Sequence, residues 1–345
     1  MRPVGTNNPH EKGVPPFAAR YDDSGWETVH LPHTVRVERL NCSGGYNYQG
    51  VSWYRKKFFL NEAFEGRENF FRFDGIMQRA DIWLDGEPLG AAFGGYLPVH
   101  FDLTGVPAGE HVLAIRADNS DMTDVPPGKP QGELDFCYFG GLYRNAWFIS
   151  KNPVCFTEAE EAGLPASGGL YVRTFLSGGA AEVRVRAHWK NGGSAPVSAH
   201  VRLLLDGDCV FAGDPRTVPP GEYAEENAVF TVKNPRLWHP DTPELYMLAA
   251  QLIAGGATLD EKTERIGLRE ARFGKDGFFL NGKKLFLNGA NRHQEYAYTG
   301  NALPDSLQMR EVKLLRAMGS TAYVRGIIRP TRHFLTRATR PGFCA

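Results

Sequence analysis

A polar cluster late in the sequence carries residue types that enzymes often use at their sites. Asn291, Arg292, His293 and Glu295 lie together in the stretch NGANRHQEY. An imidazole and a carboxylate can transfer protons, whereas an amide and a guanidinium can hydrogen-bond a polar substrate. A structural role is the alternative, with the arginine in an ion pair and the histidine in a loop hydrogen bond. The elements around the cluster bear on this choice.

The cluster follows a predicted strand, Leu285–Asn288. Before it, the Asn281-Gly282 pair predicts a hairpin that joins the apolar runs Phe278–Leu280 and Leu285–Leu287. In a barrel of alternating strands and helices, residues just beyond the carboxyl end of a strand lie on the catalytic face. The cluster occupies that position.

A helix and a second strand are predicted after the cluster. The helix is expected to begin at Pro304-Asp305-Ser306 and to end at Gly319, and Leu307, Leu314, Leu315 and Met318 share one of its faces. Thr321–Arg325 predicts the strand, so that Arg325 ends it as the cluster ends the first one. Strand, loop, helix and strand form one βαβ unit, which builds parallel sheets or (β/α)8 barrels.

The first 150 residues alternate in the manner of an antiparallel sandwich or jelly roll. Short runs rich in aromatic and β-branched residues are separated by Gly, Pro and Asp turns, and Asp85-Gly86 predicts a hairpin. The connection Thr123–Gly141 is long, and it carries Asp135 among aromatic residues. Long loops in compact domains are usually functional or disordered, and the aromatics favour an ordered loop.

A second segment, from about 153 to 266, alternates similarly over roughly 110 residues, which suits a small immunoglobulin-like sandwich. The strands it predicts are Ala181–Trp189, Ser198–Gly207, Asn227–Val232 and Glu244–Ile253.

Composition restricts the classes of partner. The 39 basic residues balance 39 acidic ones, so no overall basic field predicts binding to nucleic acid or to an anionic membrane. Five scattered cysteines without metal-ligand spacing predict isolated thiols in a reducing compartment. No apolar run predicts a membrane span and no leader is evident, so the cytoplasm is expected if Met1 is the true start.

Seven stretches spread along the chain give it a strong resemblance to family 2 glycoside hydrolases, the β-galactosidase/β-glucuronidase group. They are, in order, DDSGWETVHLPH, GVSWYRKKF, ADIWLDGEPLG, FGGYLPVHFDLT, FGGLYRNAW, NPRLWHPDTPELY and FFLNGKKLFLNGANRHQEY. The resemblance implies a jelly-roll sugar-binding domain over 1–152, an immunoglobulin-like sandwich over 153–267 and the start of a (β/α)8 TIM barrel over 268–345. The stretch DFCYFGGLYRN looks most like the β-galactosidase branch.

The resemblance also assigns roles to residues of the late cluster. His293, in the N-R-H pattern, resembles a residue that hydrogen-bonds the sugar at the transition state. Asn291 and Arg292 belong to the same pattern and are expected beside the substrate. The implied partner is a β-galactoside or related carbohydrate, and a homo-oligomer is expected of the full-length form.

Three further positions are assigned in the same way. Asp135 resembles an aspartate that reaches the active site, contacts the galactosyl hydroxyls and, in some members, binds a sodium ion; Na+ or Mg2+ is therefore the implied metal. Asn47 matches another residue near the sugar, although the local spacing differs. Arg325 aligns with an arginine at the end of the second barrel strand.

The carboxylate pair is not among these residues. Retaining glycosidases need two carboxyl groups about 5–5.5 Å apart, and in this family both are glutamates on later barrel strands. Residues 274–345 supply about two strands of a barrel that takes about 250 residues. Glu295 belongs to the His293 motif and matches neither glutamate, so no catalytic residue is assigned. The expectation is a glycosidase fragment inactive alone; a carbohydrate-binding protein or a remnant is the alternative.

The last twenty residues depart from the family pattern. Ile328 stands where a histidine is expected, and Val312–Ala345 contains seven basic residues and no acidic one. A frameshift or a fragmented gene is the hypothesis that this composition suggests.

Overall fold

The structure, a computed structural model, describes residues 13–37, 48–134, 136–162 and 168–325, with the backbone alone for 322–325. It separates into two compact units. The first gathers the described residues up to Ser150 together with Asn291–Arg310 and Arg325, and the second contains those of Lys151–Ala290 with Glu311–Val324. No helix in the described ranges is long and apolar enough to cross a membrane.

Two antiparallel sheets face each other in the first sandwich. Sheet order is β1-β6-β3-β4 in one and β5-β2-β7 in the other. Side chains from both sheets alternate inward and form one core, to which Tyr54 and Ile115 contribute from one sheet and Phe73 and Phe101 from the other. The strands are β1 (Val51–Leu60), β2 (Glu68–Phe73), β3 (Arg79–Leu84), β4 (Glu87–Phe93), β5 (Val99–Asp102), β6 (Gly109–Asp118) and β7 (Ala146–Lys151).

The predicted hairpin between β3 and β4 is confirmed. Asp85 and Gly86 have φ angles of 53° and 93°, the left-handed values that a type I′ turn requires. The Asp85 carboxylate also accepts hydrogen bonds from the backbone N–H of Val112 and from His111 Nδ1, both at 2.7 Å. The turn is therefore held against the neighbouring strand β6.

The second sandwich contains longer strands with strict alternation. In its central strand β10, Val183, Val185 and Trp189 are buried, whereas Arg184 is exposed on the opposite face. The buried face packs against the other sheet to form the core of the second unit. The elements are β8 (Val154–Phe156), α1 (Ala159–Ala162), β9 (Leu170–Ser177), β10 (Ala180–Asn191), β11 (Val197–Leu205), β12 (Asp208–Ala212), β13 (Arg216–Val218), β14 (Tyr223–Lys233), β15 (Tyr246–Ala254) and β16 (Ala257–Ile266).

Strands β14, β10 and β8 form one sheet of this sandwich, and β9 pairs with β10. The other sheet has the order β12-β11-β15-β16, and β13 pairs with β11. The four strands that the sequence predicted here are present as β10, β11, β14 and β15.

The remaining elements are β17 (Ala271–Gly274), β18 (Gly277–Leu280), β19 (Lys283–Lys284), β20 (Gly289–Arg292), α2 (Asp305–Ala317) and β21 (Ala322–Arg325). Strands β17, β18 and β19 form a small sheet, and β20 pairs with β21. The Asn281-Gly282 turn is confirmed by φ angles of 51° and 77°. The helix begins at the predicted Asp305.

The predicted strand over Leu285–Asn288 is wrong. Those residues belong to no strand, and Phe286 is 84% exposed. Asn288 instead exchanges hydrogen bonds with Thr321: its carbonyl accepts the Thr321 N–H at 2.8 Å, and its own N–H donates to Thr321 Oγ1 at 3.1 Å. The observed strand, β20, begins at Gly289, one residue after the end of the predicted strand.

The predicted apolar face of α2 is only partly buried. Gln308 and Val312 are the buried residues in the helix, whereas Leu314 is 52% exposed and Met318, just beyond it, is 77% exposed. Positions four residues apart share a helix face, so the buried face of the helix centres on Gln308 and Val312.

Candidate active site

The polar cluster starts inside strand β20 and continues into the loop that follows it. Asn291 and Arg292 are the last two residues of β20, so they lie within a strand and not beyond one as expected. His293 comes directly after the strand and its side chain is exposed. An exposed imidazole at the end of a strand is available to a ligand, unlike one held in the core.

The residue after His293 anchors the loop from inside the first unit. Gln294 is buried, and its Nε2 donates a hydrogen bond to the carbonyl of Asn301 at 3.2 Å. Gln308 Nε2 holds the carbonyl of Leu303 at 3.1 Å in the same manner. These bonds fix both ends of the loop that presents His293.

Two long-range hydrogen bonds tie this loop to the first sandwich. Glu295 Oε1 accepts the backbone N–H of Cys137 at 2.9 Å, and Thr34 Oγ1 donates to the carbonyl of Thr299 at 2.8 Å. Cys137 comes two positions after Asp135 in the sequence. The His293 loop is therefore bonded directly to the aromatic connection that carries the predicted aspartate.

Buried aromatic residues support that connection. Tyr138, Tyr143, Met77 and Ala302 pack in one cluster. Tyr138 Oη donates to Asp121 Oδ1 at 3.1 Å, and Tyr143 Oη donates to the carbonyl of Gly95 at 2.8 Å. Burial raises the pKa of Tyr143 to about 12, so its hydroxyl remains a proton donor at neutral pH.

Burial also raises the pKa of Glu295 above its ordinary 4.5. The hydrogen bond from the Cys137 N–H and the nearby His293 lower it, but by less than burial raises it. One carboxylate oxygen is occupied by a backbone amide. This arrangement gives Glu295 a structural part in the loop.

Glu295→Gln is expected to keep or increase stability at pH 7. The folded state binds the proton of the Glu295 carboxyl group more tightly than the unfolded chain does. The contribution of Glu295 to stability is therefore complete below pH 4.5 and is lost as pH rises through the raised pKa. A glutamine carries no charge, and its carbonyl oxygen can still accept the Cys137 N–H. Urea unfolding from pH 4 to 8 should show a flatter pH dependence for the variant. Exposed Glu133→Gln is the control, and a lower stability of the Glu295 variant at pH 7 would contradict the argument.

The side chains of three predicted site residues are not described by the structure. Arg325 is the last residue of β21, where the backbone alone is described. Asp135 and Asn47 lie outside the described residues, so their roles stay predictions. The described residues contain no group of three or more His, Cys, Asp or Glu side chains that could hold a metal ion. The predicted Na+ or Mg2+ depends on Asp135 and stays a prediction too.

Sequence reasoning missed the contacts that position the cluster. Gln294, Thr34 and the Cys137 amide bear no chemical signature and were not singled out. Their partners are distant in sequence, and the Glu295–Cys137 contact joins residues 158 positions apart. A single sequence carries no signal for such a pairing.

Comparison with known proteins decides the family. Three domain models of glycosyl hydrolases family 2 match in order: the sugar-binding domain over residues 15–152, the central domain over 169–269 and the TIM barrel domain over 272–330. The chain belongs to glycosyl hydrolase family 2. The predicted fold class is thereby confirmed: a jelly-roll sandwich, an immunoglobulin-like sandwich and the start of a (β/α)8 barrel.

Curated relatives in this family carry two kinds of name. A β-galactosidase of Thermoanaerobacter pseudethanolicus is 31% identical over 310 residues, which is 88% of this chain and 40% of the relative. A β-glucuronidase of Bacteroides fragilis is 31% identical over 302 residues, 85% of this chain and 42% of the relative. The chain thus spans about 40% of the length of these relatives.

Solved structures agree with this membership. The β-glucuronidase of Bacteroides uniformis matches with a TM-score of 0.83 at 26% identity, covering 96% of this chain and 40% of that one. A putative β-galactosidase of Bacteroides fragilis matches with a TM-score of 0.82 at 27% identity, covering 92% and 48%.

Proposed function

We propose that this family 2 chain forms the substrate-recognition part of a retaining β-glycoside hydrolase of the β-galactosidase type. The observation that carries the proposal is the exposed His293 at the end of β20. Buried Gln294 and the Glu295–Cys137 hydrogen bond hold it in place. An imidazole fixed by its neighbours can hydrogen-bond a sugar hydroxyl without reorganising when charge develops.

Around His293 the family pattern supplies the other contacts. Asn291 and Arg292 adjoin it in β20, Arg325 ends the partner strand β21, and Asp135 precedes the Cys137 amide that Glu295 holds. Asn47 completes the proposed set of polar groups. Asp135 would hold the implied Na+ or Mg2+, and such a cation would supply positive charge for binding sugar hydroxyls.

The chemical step in such an enzyme is a double displacement. One carboxyl group protonates the leaving oxygen while the other attacks the anomeric carbon, and water then releases the sugar from the covalent intermediate. Both carboxylates belong to later strands of the family's barrel. The residues of this chain bind and orient the sugar, and they strengthen its hydrogen bonds as the ring flattens toward the transition state.

The test joins this chain to a complete barrel. A chimera would carry residues 1–325 followed by the corresponding remainder of the Thermoanaerobacter pseudethanolicus β-galactosidase. We expect it to hydrolyse a chromogenic β-galactoside faster than the matching β-glucuronide, whereas the 345-residue chain gives no turnover because it lacks both carboxylates.

The control is that relative's barrel segment alone, which lacks the two sandwiches. Turnover by the purified 345-residue chain would contradict the proposal that this chain binds the sugar while later strands of the barrel supply the two carboxylates. A folded chimera that hydrolyses neither substrate, or prefers the glucuronide, would contradict the proposed substrate class.

A further inference from the structure

The outer face of the second sandwich carries an unusual pairing of like charges. In the register of β9 and β10, Arg173 lies directly opposite Arg184, and Tyr171 lies opposite Arg186. Like charges directly opposite each other on one sheet face are destabilising. The strands nevertheless present these three guanidinium groups side by side, away from the buried face of β10.

Aromatic rings hold the three guanidinium groups in place. Arg173 and Arg184 both stack on Phe175, with Cζ atoms 5.1 and 4.7 Å from the ring centroid. Arg186 stacks on Tyr171 at 5.3 Å. A stacked guanidinium is already oriented and loses less freedom when its N–H groups bind a ligand. Because guanidinium groups already lie over the rings of Phe175 and Tyr171, a ligand here would be recognised by its charge and not by stacking of a sugar on these rings.

Carboxylates neutralise only part of this charge. Arg184 Nε lies 2.6 Å from Glu182 Oε1, and Arg186 Nε lies 3.7 Å from Glu225 Oε2. Within the described part of the chain, Arg173 has no carboxylate at ion-pair distance. Arg173 is therefore the one of these three cations whose charge no carboxylate in the described residues offsets, and the excess positive charge lies at the Arg173–Arg184 pair.

A shallow groove of about 380 Å³ runs beside the pair. Asn227 and Val229 of β14 form its other side, and Val229 is an exposed apolar side chain. The volume of the groove is within the range of small-molecule sites. The groove thus combines two guanidinium groups, of which that of Arg184 pairs with the Glu182 carboxylate in the lining, with an amide and an apolar patch.

We propose that this groove binds an acidic saccharide, whose carboxylate bridges Arg173 and Arg184. The planar guanidinium fork matches a carboxylate through paired N–H···O bonds, and a bound anion converts the repulsion between the two arginines into shared attraction. The choice of a saccharide rests on the proposed function: the carboxylate would belong to an acidic sugar unit of the same polysaccharide whose terminal, neutral β-galactoside the active site takes. The site lies on the immunoglobulin-like sandwich and takes no part in bond cleavage.

The experiment measures binding to the 345-residue chain by titration calorimetry with three probes. These are a galacturonate trisaccharide, the neutral galactose trisaccharide and sodium acetate. We expect the acidic trisaccharide to bind and the neutral one not to bind. Equal binding of both trisaccharides would overturn the proposal, as would no binding of the acidic one. Binding of acetate as tight as that of the acidic trisaccharide would indicate an adventitious ion only.

Variants separate a binding role from a structural one. Arg173→Gln should weaken binding of the acidic trisaccharide by ~10-fold or more. It should also leave the melting temperature of the free chain unchanged or higher, because a repulsive cross-strand pair is removed. Lys233→Gln, which removes a cation elsewhere on β14, should change neither quantity.

Unchanged binding by the Arg173 variant would overturn the proposal. So would weaker binding accompanied by a lower melting temperature, since that result identifies a structural arginine. An equal loss of affinity in Lys233→Gln would also overturn the proposal, because the effect would then come from net charge and not from this groove. Because binding is measured without turnover, its failure is distinguishable from failure of the chimera to hydrolyse glycosides.

Discussion

Gly141→Ala destabilises the first unit by roughly 2–6 kcal/mol, since backbone strain and overpacking each cost about 1–3 kcal/mol. Gly141 has a φ of +112°, which side chains rarely tolerate. A Cβ at this position would clash with the hydroxyl oxygen of Tyr54, and it would lie 2.9 Å from Val35 Cγ2 and 3.0 Å from the carbonyl oxygen of His33. Tyr54 cannot move away easily, because it is buried and hydrogen-bonded to His33 Nδ1 at 2.9 Å.

Urea unfolding, followed by the fluorescence of the tryptophans, measures this effect. Gly66→Ala is the matched control, since Gly66 has a φ of +68° but no atom within 4 Å of the added Cβ. It should cost only about 1–2 kcal/mol, the penalty of the left-handed conformation alone. Equal losses of unfolding free energy in the two variants would show that the contact with Tyr54 does not contribute to the destabilisation.

His293→Ala lowers kcat/KM of the active chimera by about 10²–10³-fold, the usual cost of removing one preorganised donor to the transition state. The imidazole is exposed, and the hydrogen bonds of the next two residues, Gln294 and Glu295, do not involve its ring, so the fold tolerates its loss. Most of the effect should fall on kcat, because the hydrogen bond strengthens as the sugar ring flattens. Steady-state kinetics on a chromogenic β-galactoside separate kcat from KM.

The control for this prediction is His30→Ala, which removes an exposed histidine from the same unit outside the His293 loop. His293→Gln, which retains one hydrogen-bond donor, should recover part of the lost rate. A His293→Ala chimera within twofold of its parent would remove His293 from the proposed site. A loss of the same size in His30→Ala would point to instability of the chimera instead.

Local signals in the sequence predicted the local features correctly. Both Asx-Gly turns adopt the left-handed angles expected of them, and the helix begins at Asp305, where a proline and an acidic residue indicate a start. These features depend on a few neighbouring residues. The alternation of β10 and β11 is equally local, since period 2 identifies a half-buried strand.

The errors and omissions arise from contacts between distant residues. Leu285–Asn288 looks like an apolar strand, but Asn288 bonds to Thr321 and the ladder starts at Gly289. The site was predicted from resemblance to the family and not from spacing. The bond from the Cys137 amide to Glu295, which places the cluster, depends on how the first sandwich packs, and composition gives no indication of it.

The bond between Thr34 and Thr299 joins residues 265 positions apart, and the whole Lys151–Ala290 segment is translated between them. From Ser150, where the first sandwich ends, to Thr299 the ribosome adds 149 residues, which takes roughly 7–30 s at 5–20 residues per second. During this time the nascent jelly roll must wait with its aromatic connection uncovered, although its own strands are already available. Protection of exposed apolar surface during synthesis therefore matters more for the first unit than for the second.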